Sequence, residues 1–128
     1  MTKTIFQLTR RAALDLHNIY DLSVEHWGVN MARSYIDRLY AVMGTLKQDS
    51  NRSRQRKERA TPFDMILAEK HFIVYEIIDD VPIIITLLHQ RRDIESIMRD
   101  FTPAFLAEIE TYRCVIVSNN KSTMSDKP

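Results

Sequence analysis

The chain has 128 residues, enough for one domain with its own core and too few for two. Its 18 basic and 17 acidic side chains leave a net charge of +1, which excludes a histone-like or strongly cationic membrane protein by overall charge. One cysteine, Cys114, excludes an internal disulfide framework and points to a reducing, cytoplasmic setting, while two glycines are too few for a phosphate-cradling P-loop or a dinucleotide-binding loop.

Residues 4–8 alternate weakly and predict a short strand with Ile5 or Phe6 turned inward. Thr9 is placed to cap a helix whose apolar positions Ala13, Leu16, Ile19 or Tyr20, and Trp27 recur every three to four residues. Gly28 follows at once and predicts the stop, because glycine takes a positive φ without steric cost. A second helix restarts with Asn30 as cap and a broad stripe of Ala32, Tyr35, Ile36, Leu39, Val42, Met43 and Leu46. So short a link requires the two helices to lie antiparallel as a hairpin.

Charge is uneven along the chain. Residues 1–64 carry 11 basic and 7 acidic side chains, residues 65–128 carry 7 and 10. The imbalance centres on Lys47, Arg52, Arg54, Arg56, Lys57 and Arg59, opposed locally by Asp49 and Glu58. Residues 49–62 lack periodicity and read as a loop with a basic surface suited to an acidic partner or a phosphate backbone. Direct base reading by this loop is not expected, because no recognition helix presents Arg, Asn and Gln together.

From Phe63 the pattern becomes strands. Phe63, Met65 and Leu67 alternate, Glu69-Lys70 forms a tight connection into residues 72–78, and Asp79-Asp80 punctuates before residues 81–88. Pro82 belongs at a strand start, where its missing N–H is tolerated. Asp93 caps a short helical turn through Met98, and Thr102-Pro103 starts a further helix through Phe105, Leu106, Ile109 and Tyr112. Beyond Ser118 the polar composition predicts a disordered tail, giving a single domain over residues 1–118 with a tail at 119–128. The expected class is α+β: an N-terminal strand and helical hairpin packed on a small curved antiparallel sheet, with a C-terminal helix. Neither a secretory leader nor a membrane-spanning run is read from the sequence.

Specific residues accompany this order of elements. Leu8-Thr9, Ala12, Tyr20, Trp27-Gly28, Ala32, Tyr35, Leu39 and Arg52 are followed by His71-Phe72-Ile73-Val74-Tyr75, Ile83 to Leu88, and His89-Gln90-Arg91-Arg92-Asp93. Over about the first hundred residues the chain resembles the RelE/ParE superfamily of bacterial type II toxins, with the ParE branch favoured. Ser50-Asn51 stand where the family often has Pro and Gly before its Arg, and the Pro-started helix extends past the usual end. The resemblance implies a cognate antitoxin and inhibition of DNA gyrase by protein binding, with operator DNA engaged only through the antitoxin. The alternative is the RelE-like branch, a ribosome-dependent endoribonuclease acting on mRNA.

The candidate binding residues are Arg52, Arg54, Arg56, Lys57, Arg59, His89, Arg91 and Arg92, and the structural ones are Trp27, Gly28, Tyr35, Tyr75 and Asp93. Under the gyrase reading no catalytic residue is expected; under the ribonuclease reading His89 and Arg91 take that role. His71 and His89 are the titratable candidates that strand pairing can bring together. Asp79-Asp80 reads as turn chemistry and Cys114 as packing, and no metal or cofactor is expected because no His/Cys cluster has ligand spacing. For Arg91, Arg92 and Asp93 the structural alternative is an ion pair or helix cap at the end of the last strand.

Overall fold

The computed structural model of the protein describes residues 6–46 and 63–125. The basic residues Arg52, Arg54, Arg56, Lys57 and Arg59 fall outside the described residues, as do positions 4 and 5 of the expected first strand. Eight elements occur among the described residues: β1 (Gln7–Leu8), α1 (Arg10–Trp27), α2 (Val29–Met43), β2 (Asp64–Ala68), β3 (His71–Ile78), β4 (Val81–His89), α3 (Ile94–Asp100) and α4 (Pro103–Ser125).

The sheet runs β1-β4-β3-β2. Its last three strands form an antiparallel meander, as the short links require, and β1 adds to β4 in parallel, with Gln7 opposite Ile83 and Leu8 opposite Ile84. Parallel pairing follows because the α1–α2 hairpin and residues 44–63 intervene before the meander, giving the chain length to cross over. At the β3–β4 turn both aspartates have positive φ, 49° for Asp79 and 68° for Asp80, the geometry of a two-residue hairpin turn. The turn reading of that pair therefore matches its place in the fold.

Both faces of the sheet are covered. On one, Ala12 and Leu16 of α1 and Leu39 and Met43 of α2 pack with Leu46 against Ile66, Ile73, Tyr75, Ile84 and Leu87. On the other, Phe105, Ile109 and Ile116 of α4 and Ile97 of α3 pack against Met65, Val74, Ile83, Ile85 and Leu88. Strand β4 is consequently buried from Pro82 through Leu88, which explains its unbroken apolar run. The helical backbone of α4 continues to Ser125, seven residues past Ser118, where composition predicted a tail.

Two local readings shift. The buried stripe of α1 is Ala12, Leu16 and Ser23, one register from the expected Ala13, and Trp27 is exposed instead of packed. Small residues Ala12, Ser23 and Ala32 face inward, where a large side chain would hold the helices off the sheet. Asn30 does not cap α2: the helix begins at Val29 with Gly28 as its N-cap and no side-chain capping bond. Thr9 does cap α1, its hydroxyl accepting from Ala12 N at 3.0 Å and donating to the carbonyl of Ile85 at 2.8 Å.

Gly28 ends one helix and starts the next at φ 88° and ψ 170°, a region that is essentially glycine-only. A Cβ built there meets nothing within 4 Å, so conformation alone sets the cost of a side chain. Gly28→Ala is expected to lose about 1–3 kcal/mol in urea unfolding. A loss below about 0.5 kcal/mol would show that the reversal tolerates an L-residue.

Candidate functional site

The β2–β3 turn, the start of β3 and the end of β4 meet the closed end of the helical hairpin. Between them lies a groove of about 490 Å³ lined by Leu22, His26 and Trp27 of α1, Met31, Tyr35 and Arg38 of α2, and Glu69, Lys70, His71 and His89 of the sheet end. The antiparallel register sets His71 opposite His89, and their rings meet edge to face with centroids 5.2 Å apart. The pairing anticipated for these two histidines is therefore present.

Tyr35 links this pair to the hairpin. Its hydroxyl is 2.7 Å from Nδ1 of His71 and accepts the backbone N–H of Lys70 at 3.0 Å. The assignment that uses every proton has Tyr35 donating to Nδ1, which leaves the proton of neutral His71 on Nε2. In His89, Nδ1 accepts the backbone N–H of Arg91 at 3.1 Å, so its neutral ring also carries the proton on Nε2. Burial raises the Tyr35 hydroxyl above its ordinary value, against the lowering effect of the Lys70 amide.

Burial, reinforced by neighbouring His89, lowers His71 from 6.5 to about 4. Between those values the unfolded chain binds more protons than the native one, so stability is complete above pH 6.5 and declines as pH falls toward 4. His71 is partly open to solvent, which holds the expected loss to about 1–2 kcal/mol. Urea unfolding at pH 7.5 and pH 4.5 measures it, and His71→Gln should flatten the dependence over that window. An unchanged slope in the variant would assign the acid sensitivity to other groups.

The walls of the groove are apolar and unusually open. Leu22 is 56% exposed, Trp27 58% and Met31 58%. Trp27 ends α1 just before the reversal, which turns its indole out of the core and under the Lys70 ammonium, 5.7 Å from the ring centroid. Arg38 lies over the Tyr35 ring at 5.8 Å and holds Glu69 at 3.1 Å.

The tripeptide after β4 divides its roles. Arg92 donates to Asp100 at 2.7 Å and to Ser96, while Asp93 caps α3 by accepting from Ser96 N at 2.7 Å. Arg11 of α1 reaches the same Asp100 oxygen at 3.0 Å. Burial would raise the Asp100 carboxyl, but the hydrogen bonds and charges of Arg92 and Arg11 outweigh it and hold the group below its usual value. Arg91 is exposed beside His89. Thus Arg92 is engaged within the fold, and Arg91 is the arginine of the motif presented next to the groove.

Of the expected structural residues, Tyr75 is fully buried, Gly28 makes the helix reversal and Tyr35 lines the groove. Cys114 is exposed, with Sγ 4.0 Å from a Glu110 carboxylate oxygen, because it lies on the outward side of α4. The expected binding residues did not include Leu22, Met31, Arg38 or Lys70, and His71 entered as a titratable partner of His89. Leu22 and Met31 carried a signal, since each is a large apolar side chain away from its helix's buried stripe. Among the described residues no group of three or more His, Cys, Asp and Glu side chains could hold a metal ion, and no helix is long and apolar enough to cross a membrane.

Comparison with known proteins places this geometry. A family model described as the ParE toxin of the type II toxin-antitoxin system, parDE, matches residues 6–94. A solved structure titled as the chromosomal ParDE TA system from P. aeruginosa is similar to the chain, with a TM-score of 0.53 and 21% identity. That match covers 68% of this chain and 98% of the other, and at this identity it bears on the fold. A search of curated proteins found no match. The family match ends at Ile94, so α4 lies beyond it.

Proposed function

The chain belongs to the ParE toxin family of type II toxin-antitoxin systems, and from that premise we propose that it inhibits DNA gyrase by protein binding and is neutralised by a cognate antitoxin docked in the hairpin groove. The observation that carries this reading is the open apolar wall of Leu22, Trp27 and Met31. Exposed clusters of this kind mark protein contacts, and tryptophan is enriched among the residues that dominate binding energy.

The engagement of Arg11, Arg92 and Arg113 within the fold supports the same choice over mRNA cleavage, leaving Lys70 and Arg91 as open cations beside the histidine pair. Metal-free phosphodiester cleavage needs a base, an acid and cations free to meet the phosphoryl oxygens. Here Arg11 and Arg92 converge on Asp100, and Arg113 is held by Glu76 at 2.7 Å and Glu110 at 2.5 Å. The hydrogen bond from Arg113 to Glu76 leads the effects that raise its pKa. The opposite face of the sheet, where a nucleic acid could otherwise lie, is occupied by α4.

Arg91 beside the groove and the basic residues Arg52, Arg54, Arg56, Lys57 and Arg59 are assigned to partner contact, the latter as a steering surface for an acidic antitoxin segment. Operator DNA is engaged through the antitoxin. The test is a gyrase supercoiling assay run beside a translation assay that maps mRNA cleavage, using one preparation of the toxin.

A further inference from the structure

We propose that the sheet end of the groove is a carboxylate socket, built by Lys70, His71 and His89, which selects an antitoxin helix carrying an Asp or Glu about one turn from a bulky apolar residue. This inference rests on the proposed docking of the antitoxin in the groove and adds the chemistry of the segment that fits.

The groove has two parts. Leu22, Trp27 and Met31, with His26 and Ser23 among them, line it near the helix reversal, and Lys70, His71 and His89 gather at the sheet end. Those groups are mostly donors. With both Nδ1 atoms occupied, by Tyr35 and by the Arg91 amide, the Nε2–H groups of His71 and His89 are the ring donors left for a ligand. The Lys70 ammonium adds a positive charge and has no carboxylate within ion-pair distance among the described residues. Glu69, the acidic residue of the lining, is neutralised by Arg38.

An anionic acceptor is the complement of that set. It gains hydrogen bonds from the two imidazole N–H groups and attraction from Lys70, whereas a cation would meet N–H groups and an ammonium. The neighbouring apolar wall argues for a side-chain carboxylate on a peptide over a free anion. One amphipathic helix can present an acid and an apolar anchor on the same face at a spacing of three or four residues.

The probe is the antitoxin encoded beside the toxin, co-expressed, separated and titrated against toxin variants. Lys70→Ala and His89→Ala should each weaken binding by about tenfold, the scale of a lost charge-assisted hydrogen bond. His89→Gln retains a donor and should recover most of the affinity. Changing one particular Asp or Glu of the antitoxin to its amide should weaken wild type by a similar factor yet have little further effect on His89→Ala. Trp27→Ala reports on the groove independently.

If Trp27→Ala weakens binding while Lys70→Ala and His89→Ala do not, the socket is overturned and the groove reading stands. If Trp27→Ala also leaves affinity unchanged, both are overturned. Equal loss in His89→Ala and His89→Gln, with no coupled antitoxin acid, likewise overturns the socket. All three toxin positions are exposed or half-buried at the groove rim, so matched melting curves verify that the variants are folded.

Discussion

Freed of its antitoxin, the protein is expected to abolish DNA supercoiling by gyrase at near-stoichiometric amounts or to trap the enzyme on cleaved DNA, while translating ribosomes gain no new mRNA breaks. The stoichiometry is part of the prediction. A protein that acts by occupying a surface saturates when its target is filled, whereas a nuclease at a small fraction of its substrate continues to turn over. Substitutions at Arg91 should lower gyrase inhibition in a graded way through affinity, since no bond-making step depends on that side chain. Codon-positioned breaks that vanish in His89→Ala or Arg91→Ala, with an inert gyrase assay, would transfer the protein to the ribonuclease reading.

A large stability loss from a single polar side chain is expected at Asp15, on the α1 face turned to β4. The β3–β4 register slips between Val74 and Tyr75, whose partners are Thr86 and Ile84, so Ile85 is an extra residue on β4. On its other edge β4 pairs with β1 only as far as Ile84, so past that point its α1-facing edge needs other partners. Asp15 supplies them: its Oδ2 accepts the hydroxyl of Thr86 at 2.5 Å and the backbone N–H of Leu87 at 3.1 Å. The same carboxylate faces Arg11 at 3.6 Å, which joins it to Asp100 and through Asp100 to Arg92.

Asp15→Ala should therefore cost about 3 kcal/mol, because a charged acceptor is lost and the Leu87 amide and Thr86 hydroxyl are left without it. Asp15→Asn keeps an acceptor oxygen and should cost less than half as much. Thr86→Val removes one donor together with its need and should fall between wild type and Asp15→Ala. Urea unfolding of the three variants orders them. Equal losses for Asp15→Ala and Asp15→Asn would assign the effect to charge alone and overturn the role given to the acceptor oxygen.

Much of this arrangement was legible before any coordinates. Thr9, Gly28, Asp93 and Thr102-Pro103 mark helix ends through interactions spanning a few residues, and each performs that local task in the fold. The meander was readable for a related reason: two-residue links at Glu69-Lys70 and Asp79-Asp80 allow only antiparallel neighbours. The turn register by itself would set His71 opposite Leu88, and the extra residue Ile85 shifts the pairing by one so that His71 meets His89.

The family resemblance was likewise carried by residues within the span that the family model matches. Local chemistry and short connections thus determined the class of fold, the hairpin and the order of the meander. What required tertiary structure were choices between partners far apart in the chain. Trp27 lies on a helical apolar repeat and could face the core by spacing; as the last residue of α1, at the reversal, it stands exposed on the groove wall instead. Arg91 and Arg92 are adjacent and chemically identical, and only the position of Asp100, brought back by α3, decides which is tied into the fold. The covering of the second sheet face by α4 was equally hidden, because periodicity identifies an apolar stripe but not the surface that will bury it.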